Sequence, residues 1–356
     1  RRQRQMCIRD SPQISAEQHF LTEALEPIRS FLDDPAVVEI SCQRSNEVWL
    51  EKIGQLRMVR HEIEGLDQDV IRHMAARAAS FTKQTINAEN PLLSATLTGG
   101  ERVQFVLSPT SATGHAFSIR KQFIRRFDLN DYEEAGAFRF TKVTGDDYLD
   151  DVDIELSRLL RIGKARAFLE LAAANHRSIL ISGGTSTGKT TFLNTMLTAI
   201  PNHERFILMQ DTAELEPLQE NVVSLLVSKG GQGEARVTMG DLLATALRLR
   251  PDRIFMGELR GDEAFDFLNA INTGHPGSMS TIHANSPHHA FNRLSTLVLN
   301  SNVRMERDDI IRYIRSIIPI VVQLKKSDAA GGRGVSEIYF ADEVDEHGQR
   351  IHRRRD

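Results

Sequence analysis

The sequence predicts an α/β fold in two parts. A smaller α+β domain covers residues 12–126, and a larger domain built on a mostly parallel sheet covers 156–356, after an acidic linker at 127–155. Three observations carry that expectation. From "SILISG" to "SMSTIH" (178–283), short apolar runs alternate with longer amphipathic ones, the signature of β-α-β units. Before residue 126 the order is helix, hairpin, helix, strands, which suits a compact α+β domain. Between the two, "TKVTGDDYLDDVD" is acidic and lacks an apolar period.

Each element has its own local reason. "EQHFLTEALEPIRSFLDD" (17–34) sets Phe20, Leu21, Leu25, Ile28, Phe31 and Leu32 at helical spacing, and aspartates with Pro35 close it. "AVVEISC" and "EVWLEK" read as strands around the polar turn "QRSN". "QDVIRHMAARAASFT" (68–82) is a second helix, "SATLTGGERVQFVLSP" (94–109) a hairpin turning at "TGGE", and "HAFSIRK" (115–121) a further strand. A helix over 156–174 opens the larger domain. Another lies at 288–300, and "IVVQLKK" with "VSEIYFADEV" reads as a terminal strand pair. The only low-complexity stretch is the short "AAGGRG".

Composition narrows the function classes. With 26% charged and 40% hydrophobic residues, the 356-residue chain is of ordinary globular type. The longest aliphatic run, near "IIPIVVQL" (317–324), falls far short of the ~20 residues of a membrane span. No cationic start leads into an apolar stretch, so no secretory signal is expected. Two cysteines, Cys7 and Cys42, make neither a disulfide framework nor a metal cluster and suit a reducing cytosol. A net charge of −4 argues against general nucleic-acid affinity. Residues 1–11, "RRQRQMCIRDS", back-translate into a common transposase sequencing adapter and are expected to be an assembly artefact. Ordinary genomic sequence upstream of Ser11 would refute that expectation.

The chemistry begins at "GGTSTGKTT" (183–191), which satisfies G-x-x-x-x-G-K-[ST] between an apolar strand and a helix. In that context Gly183, Gly184, Thr185, Ser186, Thr187, Gly188, Lys189, Thr190 and Thr191 form a phosphate cradle. Glycines let the backbone N–H groups face the phosphate oxygens, and the helix start adds a positive dipole end. Lys189 neutralises the β- and γ-phosphates of ATP, and the Thr190 hydroxyl ligates Mg²⁺. Candidate carboxylates follow apolar strands: Asp211 and Glu214 in "MQDTAELEP", and Glu258 in "RIFMGELRG". Glu258 is expected to position the attacking water, with an ion pair to Arg260 as the alternative. For Asp211 and Glu214 the alternative is a helix cap.

With these motifs in order, the chain resembles the type II/IV secretion ATPase family. "GGTSTGKTT", "DTAEL" and "LRLRPDRIFMGELRGDEAFDFLNAINTGHPGSMSTIHANSP" match that family's Walker A, Asp box, Walker B and His box. Within it, the short N-terminal domain and "IRSIIPIVVQLKK…GGRGVSEIYF" are most similar to traffic ATPases of type IV secretion, and no four-cysteine zinc module is present. Tight-adherence pilus ATPases share nearly the same central string. The resemblance implies a RecA-like ATPase domain and a homohexameric ring with nucleotide between the two domains. It also implies a cytoplasmic protein peripheral at the inner membrane, with secretion-channel components and other secretion ATPases as partners. By the same resemblance Arg102 in "GERVQ" and Arg120 in "SIRK" reach the nucleotide. One departure stands out, since "MQD" replaces the family's usual acidic pair before the Asp box.

His275 and His283 remain. With no cysteine nearby and no H-E-x-x-H pattern, metal ligation is not expected. Both histidines flank a strand expected beside the phosphate-loop strand, and a neutral imidazole both donates and accepts. The expectation is a γ-phosphate sensor, with a core histidine satisfying backbone as the alternative. Besides the secretion and pilus motors, a nucleotide-dependent scaffold with little turnover remains open. A nucleic-acid translocase would call for a basic stripe that the sequence lacks.

Overall fold

The computed structural model describes residues 15–122, 128–142, 150–227, 233–301, 303–327 and 332–343; the adapter-like residues 1–11 lie outside these. The described chain divides into two compact units. One runs to Ser108 and includes Gly114–Gln122, and the other takes Pro109–Thr113 and everything from Asp128 onward.

The first unit is an antiparallel sheet with helices. Its strands are β1 (Val37–Cys42), β2 (Glu47–Lys52), β3 (Val59–Glu62), β4 (Leu92–Thr96), β5 (Arg102–Val106) and β6 (Ala116–Arg120), in the order β3-β2-β1-β6-β5-β4. Its helices are α1 (Ala16–Ala24), α2 (Arg29–Asp33) and α3 (Gln68–Phe81). Ser15 caps α1 by accepting from the Gln18 N–H, and Asp67 caps α3 by accepting from Val70 N–H. The helix expected over 17–34 is interrupted by a 3₁₀ turn at Glu26–Ile28. Pro27 has no N–H to give and its ring crowds the preceding turn, so the α pattern cannot run through it. Ile40, Val48, Leu50, Ile71, Phe105, Phe117 and Ile119 are buried in the core. β3 escaped the sequence reading because its four residues are mostly solvent-facing and carry no alternation.

Apart from Pro109–Thr113, the described part of the second unit begins inside the stretch expected to be a linker. α4 (Leu129–Glu134) and the start of α5 (Asp151–Arg161) both lie within 127–155. The acidic residues there start helices: Asp128 and Asp150 each accept a first-turn N–H and set negative charge at the positive dipole end. The single helix expected over 156–174 is two, α5 and α6 (Ala165–Ala174), parted at Gly163 with φ +70°.

Then come β7 (Ile179–Gly183), α7 (Lys189–Leu197), β8 (Phe206–Gln210), β9 (Val222–Leu226), α8 (Met239–Ala246), β10 (Arg253–Met256), α9 (Glu263–Asn272) and β11 (Met279–Ile282). After them follow α10 (Pro287–Asn300), α11 (Arg307–Ile317), β12 (Ile320–Ser327) and β13 (Gly332–Phe340). The sheet order is β13-β12-β7-β11-β10-β8-β9, parallel throughout except for the β12–β13 pair. β7 and β11 are neighbours, as the sequence reading expected, while β9 and α11 were not anticipated. The aliphatic run at 317–324 spans the end of α11 and the start of the buried strand β12, where Ile320 to Leu324 are at most 3% exposed. Phe206 and Phe255 meet edge to face at 4.8 Å in the core beneath the strands. No helix among the described residues is long and apolar enough to cross a membrane.

Candidate functional site

At the carboxyl end of β7 the chain is forced into a tight loop. A Cβ on Gly183 would stand 2.4 Å from Thr187 Oγ1 and 3.1 Å from the Leu324 carbonyl oxygen, so only glycine fits. Thr187 Oγ1 closes the loop by donating to the Gly184 carbonyl at 2.9 Å. Ser186 and Gly188 take positive φ, +58° and +90°, curling the backbone before α7 begins. Gly188 is the N-cap and offers no capping side chain, so the first amides of α7 keep no side-chain partner. An uncapped helix start at the carboxyl edge of parallel strands is a ready anion site. Thr185, Ser186 and Thr191 are exposed. The Thr190 hydroxyl, on the first turn, makes no hydrogen bond among the described residues.

Lys189 is only 8% exposed, and its ammonium donates to the Gly184 carbonyl at 3.2 Å. The same Nζ lies 3.3 and 3.4 Å from the two ring nitrogens of His283. Burial holds the Lys189 pKa below the usual lysine range; the Glu258 charge opposes that and Arg260 adds to it. His283 Nε2 in turn stands 3.4 Å from Glu258 Oε1, and Arg260 reaches Glu258 Oε2 at 2.9 Å and Asp211 Oδ2 at 3.1 Å. The bond to Glu258, ahead of the other charges, drives the Arg260 pKa up. A continuous run of ionisable side chains therefore crosses the ends of β7, β11, β10 and β8: Lys189, His283, Glu258, Arg260, Asp211. Glu258 is at once a candidate for positioning water and the partner of Arg260, so the two readings of that residue coexist.

The Asp-box segment holds no helix at Asp211–Leu215, which removes the helix-cap alternative for Asp211 and Glu214. Buried Gln210 organises that loop, its Oε1 accepting from the N–H groups of both Glu214 and Leu215 at 2.8 Å. This is what the residue preceding Asp211 does here: a neutral amide accepts two backbone bonds and donates to Ser224 Oγ at 3.3 Å. Glu214 itself is exposed. Gln210 and Arg260 were the residues sequence reasoning undervalued. Their signal was present, a polar side chain at the last position of an apolar strand and a cation two residues past a strand-end glutamate.

The histidine pair requires a correction. His275 precedes β11 and His283 follows it, so the strand separates them, by about 13 Å over its four residues. His283 joins Lys189 and Glu258 at the carboxyl edge. His275 sits at the opposite edge, its Nδ1 3.0 Å from the Pro251 carbonyl, and burial lowers its pKa although that contact and Asp252 oppose it. Within the chain, therefore, His275 meets neither Lys189 nor Glu258. Arg102 and Arg120 occupy the first unit, where they are direct cross-strand partners on β5 and β6; both are exposed and neither forms an ion pair among the described residues.

Residues 22–328 match the type II/IV secretion system protein family. The chain belongs to that family. It is 39% identical to the type IV secretion system protein VirB11 of Bartonella quintana over 329 residues, which is 89% of this chain and 91% of that protein. With VirB11 of Agrobacterium tumefaciens it shares 32% identity across 92% of this chain and 95% of the relative. In three dimensions it is similar to the VirB11 ATPase of the Brucella suis type IV secretion system, solved in complex with sulphate, with TM-score 0.84 and 31% identity; the match covers 91% of this chain and 98% of that one. That likeness shows an α/β P-loop ATPase fold, and in this secretion-family protein the run of ionisable side chains occupies the carboxyl edge of the sheet.

Proposed function

We propose that the chain is a Mg²⁺-dependent ATP hydrolase that energises substrate transfer or assembly in a type IV secretion or conjugation system. The observation that carries the reading is the run Lys189–His283–Glu258 beside the uncapped start of α7, where a triphosphate and its attacking water would meet. Gly183 to Thr191 bind the phosphates through backbone N–H groups, and Lys189 balances charge at the bond that breaks. Glu258 orients the water and takes its proton as the water oxygen bonds the terminal phosphorus and the bridging oxygen leaves with the diphosphate. Arg260 pairs with Glu258 and links it to Asp211. His283, between Lys189 and Glu258, exchanges one contact for another when a γ-phosphate arrives, which makes it the sensor.

The Thr190 hydroxyl, unpartnered among the described residues, with Asp211 and Glu214 on the adjoining loop, suits an oxygen-liganded Mg²⁺ that keeps several waters. Bound there, the ion would neutralise phosphate charge. Arg102 and Arg120 are placed side by side despite their like charges, a cost that binding an anion would offset. We assign them to transition-state charge in a RecA-like, hexameric assembly that is cytoplasmic and peripheral at the inner membrane, with secretion-channel components and other secretion ATPases as partners. The VirB11 relatives from type IV secretion systems favour secretion over a pilus motor.

Phosphate release measured on the purified chain tests the proposal. Turnover by the wild type and its loss in Lys189→Ala are expected; undiminished release by that variant would refute the assignment. Tight ATP binding with negligible wild-type turnover would select the scaffold role instead.

A further inference from the structure

The C-terminal strand pair reaches the phosphate loop from its other flank. β12 runs parallel to β7 with Leu324 opposite Gly183, so Lys325 and Lys326 continue past the carboxyl edge. β13 returns from that edge with Arg333 opposite Lys326, two residues beyond Leu324, or roughly 7 Å along the strand. The Arg333 Cδ lies 3.6 Å from where a Cβ on Gly188 would stand. Its guanidinium starts one bond further on, within reach of an anion held at the start of α7. Arg333 is exposed and has no hydrogen bond or ion pair among the described residues, whereas neighbouring Lys325 is paired with Glu337 at 3.0 Å. Arg260, another arginine at this edge that touches the site, already has its charge met by Glu258 and Asp211.

The two flanks of β7 carry different chemistry. On the β11 and β10 side stand His283 and Glu258, the groups assigned to the γ-phosphate and its water; on the β12 and β13 side stands Arg333. A nucleotide with its terminal phosphate on the first flank has its nucleoside end on the second. We infer that Arg333 binds the α-phosphate and ribose end of the bound nucleotide, the part common to ATP and ADP. The inference rests on the ATPase reading above. Because that end changes little during hydrolysis, the contact contributes equally to ground and transition states, so it sets KM and leaves kcat alone.

The test combines steady-state ATP hydrolysis with calorimetric titration of ADP on the full chain. Arg333→Ala is expected to raise the ATP KM and the ADP Kd by one common factor, roughly tenfold for a lost charge-assisted hydrogen bond, with kcat within about twofold of wild type. Arg333→Lys recovers part of the loss, since a point charge remains without the planar fork. Lys325→Ala, which removes a nearby cation already paired with Glu337, leaves both constants unchanged. An unaltered ADP Kd in Arg333→Ala overturns the inference and leaves the ATPase reading standing. So does a fall in kcat at constant KM, which would put the arginine at the γ-phosphate. Absence of any ATP binding by the wild type would remove the ATPase reading, and this inference with it.

Discussion

The two edges of the seven-stranded sheet are both crowded with charge, and they use it in opposite ways. At the amino edge, Arg253 is fully buried and clamps Glu204 with bonds of 2.6 and 2.9 Å while donating to the Ala173 carbonyl. Nearby, Arg177 holds Asp150 and Asp153 at the start of α5, at 2.5 and 2.8 Å. For Asp150, burial opposes ionisation but the bonds from Arg177 and the Asp153 N–H win and lower its pKa; for Asp153, burial prevails and raises it. At the carboxyl edge the contacts along Lys189, His283 and Glu258 are 3.3 to 3.4 Å, and the His283 side chain is 43% exposed. Short, buried, saturated bonds hold a fold together. Longer ones open to solvent leave donors and acceptors for a ligand.

That contrast can be broken most severely at the carboxyl edge. Glu258→Gln keeps the shape and removes the base, so kcat should fall on the order of 10²–10³-fold while ATP binding persists, as single-turnover kinetics with calorimetry would show. An unchanged kcat would mean that the glutamate serves only Arg260.

Next comes the amino edge, where the same kind of exchange should damage stability and spare chemistry. Glu204→Gln leaves the Arg253 charge buried without its partner and should cost about 3–5 kcal/mol in urea unfolding, with turnover per folded molecule preserved. If stability held and turnover collapsed, the division of labour between the edges would be wrong.

The two histidines give the finest comparison. His283→Asn should lower kcat about tenfold with little change in unfolding midpoint, and His275→Asn should do neither. Instead His275 makes a small pH-dependent contribution to stability. Its pKa in the folded protein is depressed from 6.5 by burial, so the unfolded chain takes up the proton first as pH falls. The wild type should therefore lose stability as pH drops from about 6.5 toward the folded value, and His275→Asn should flatten that slope in thermal melts across pH 5 to 7.5. An identical slope in wild type and variant would remove this role.

Much of this was readable in one dimension because its causes are local. The strand-loop-helix at 179–197 follows from glycine spacing, since Gly183 has no room for a Cβ and Gly188 adopts φ +90°. Glu258, Asp211 and His283 were legible because each lies within two residues of the end of an apolar strand, and parallel strands deliver such positions to one edge. Local signals also misled. The aspartates at 128 and 150 read as linker charge, although an aspartate followed by a helix is an N-cap. Pro27 breaks a helix that the apolar period alone carries through it, and the solvent-facing β3 offers no period at all.

Tertiary structure decided the rest, for one physical reason: partners distant in sequence are chosen by strand order. His275 and His283 are eight positions apart and chemically alike, yet β11 runs between them, so one faces Lys189 and the other the Pro251 carbonyl. Arg260 spans from Glu258 to Asp211 only because β10 pairs with β8, and Arg333 meets Gly188 only because β12 lies against β7. Residue spacing set what each group was able to do; the pairing of strands set which groups met.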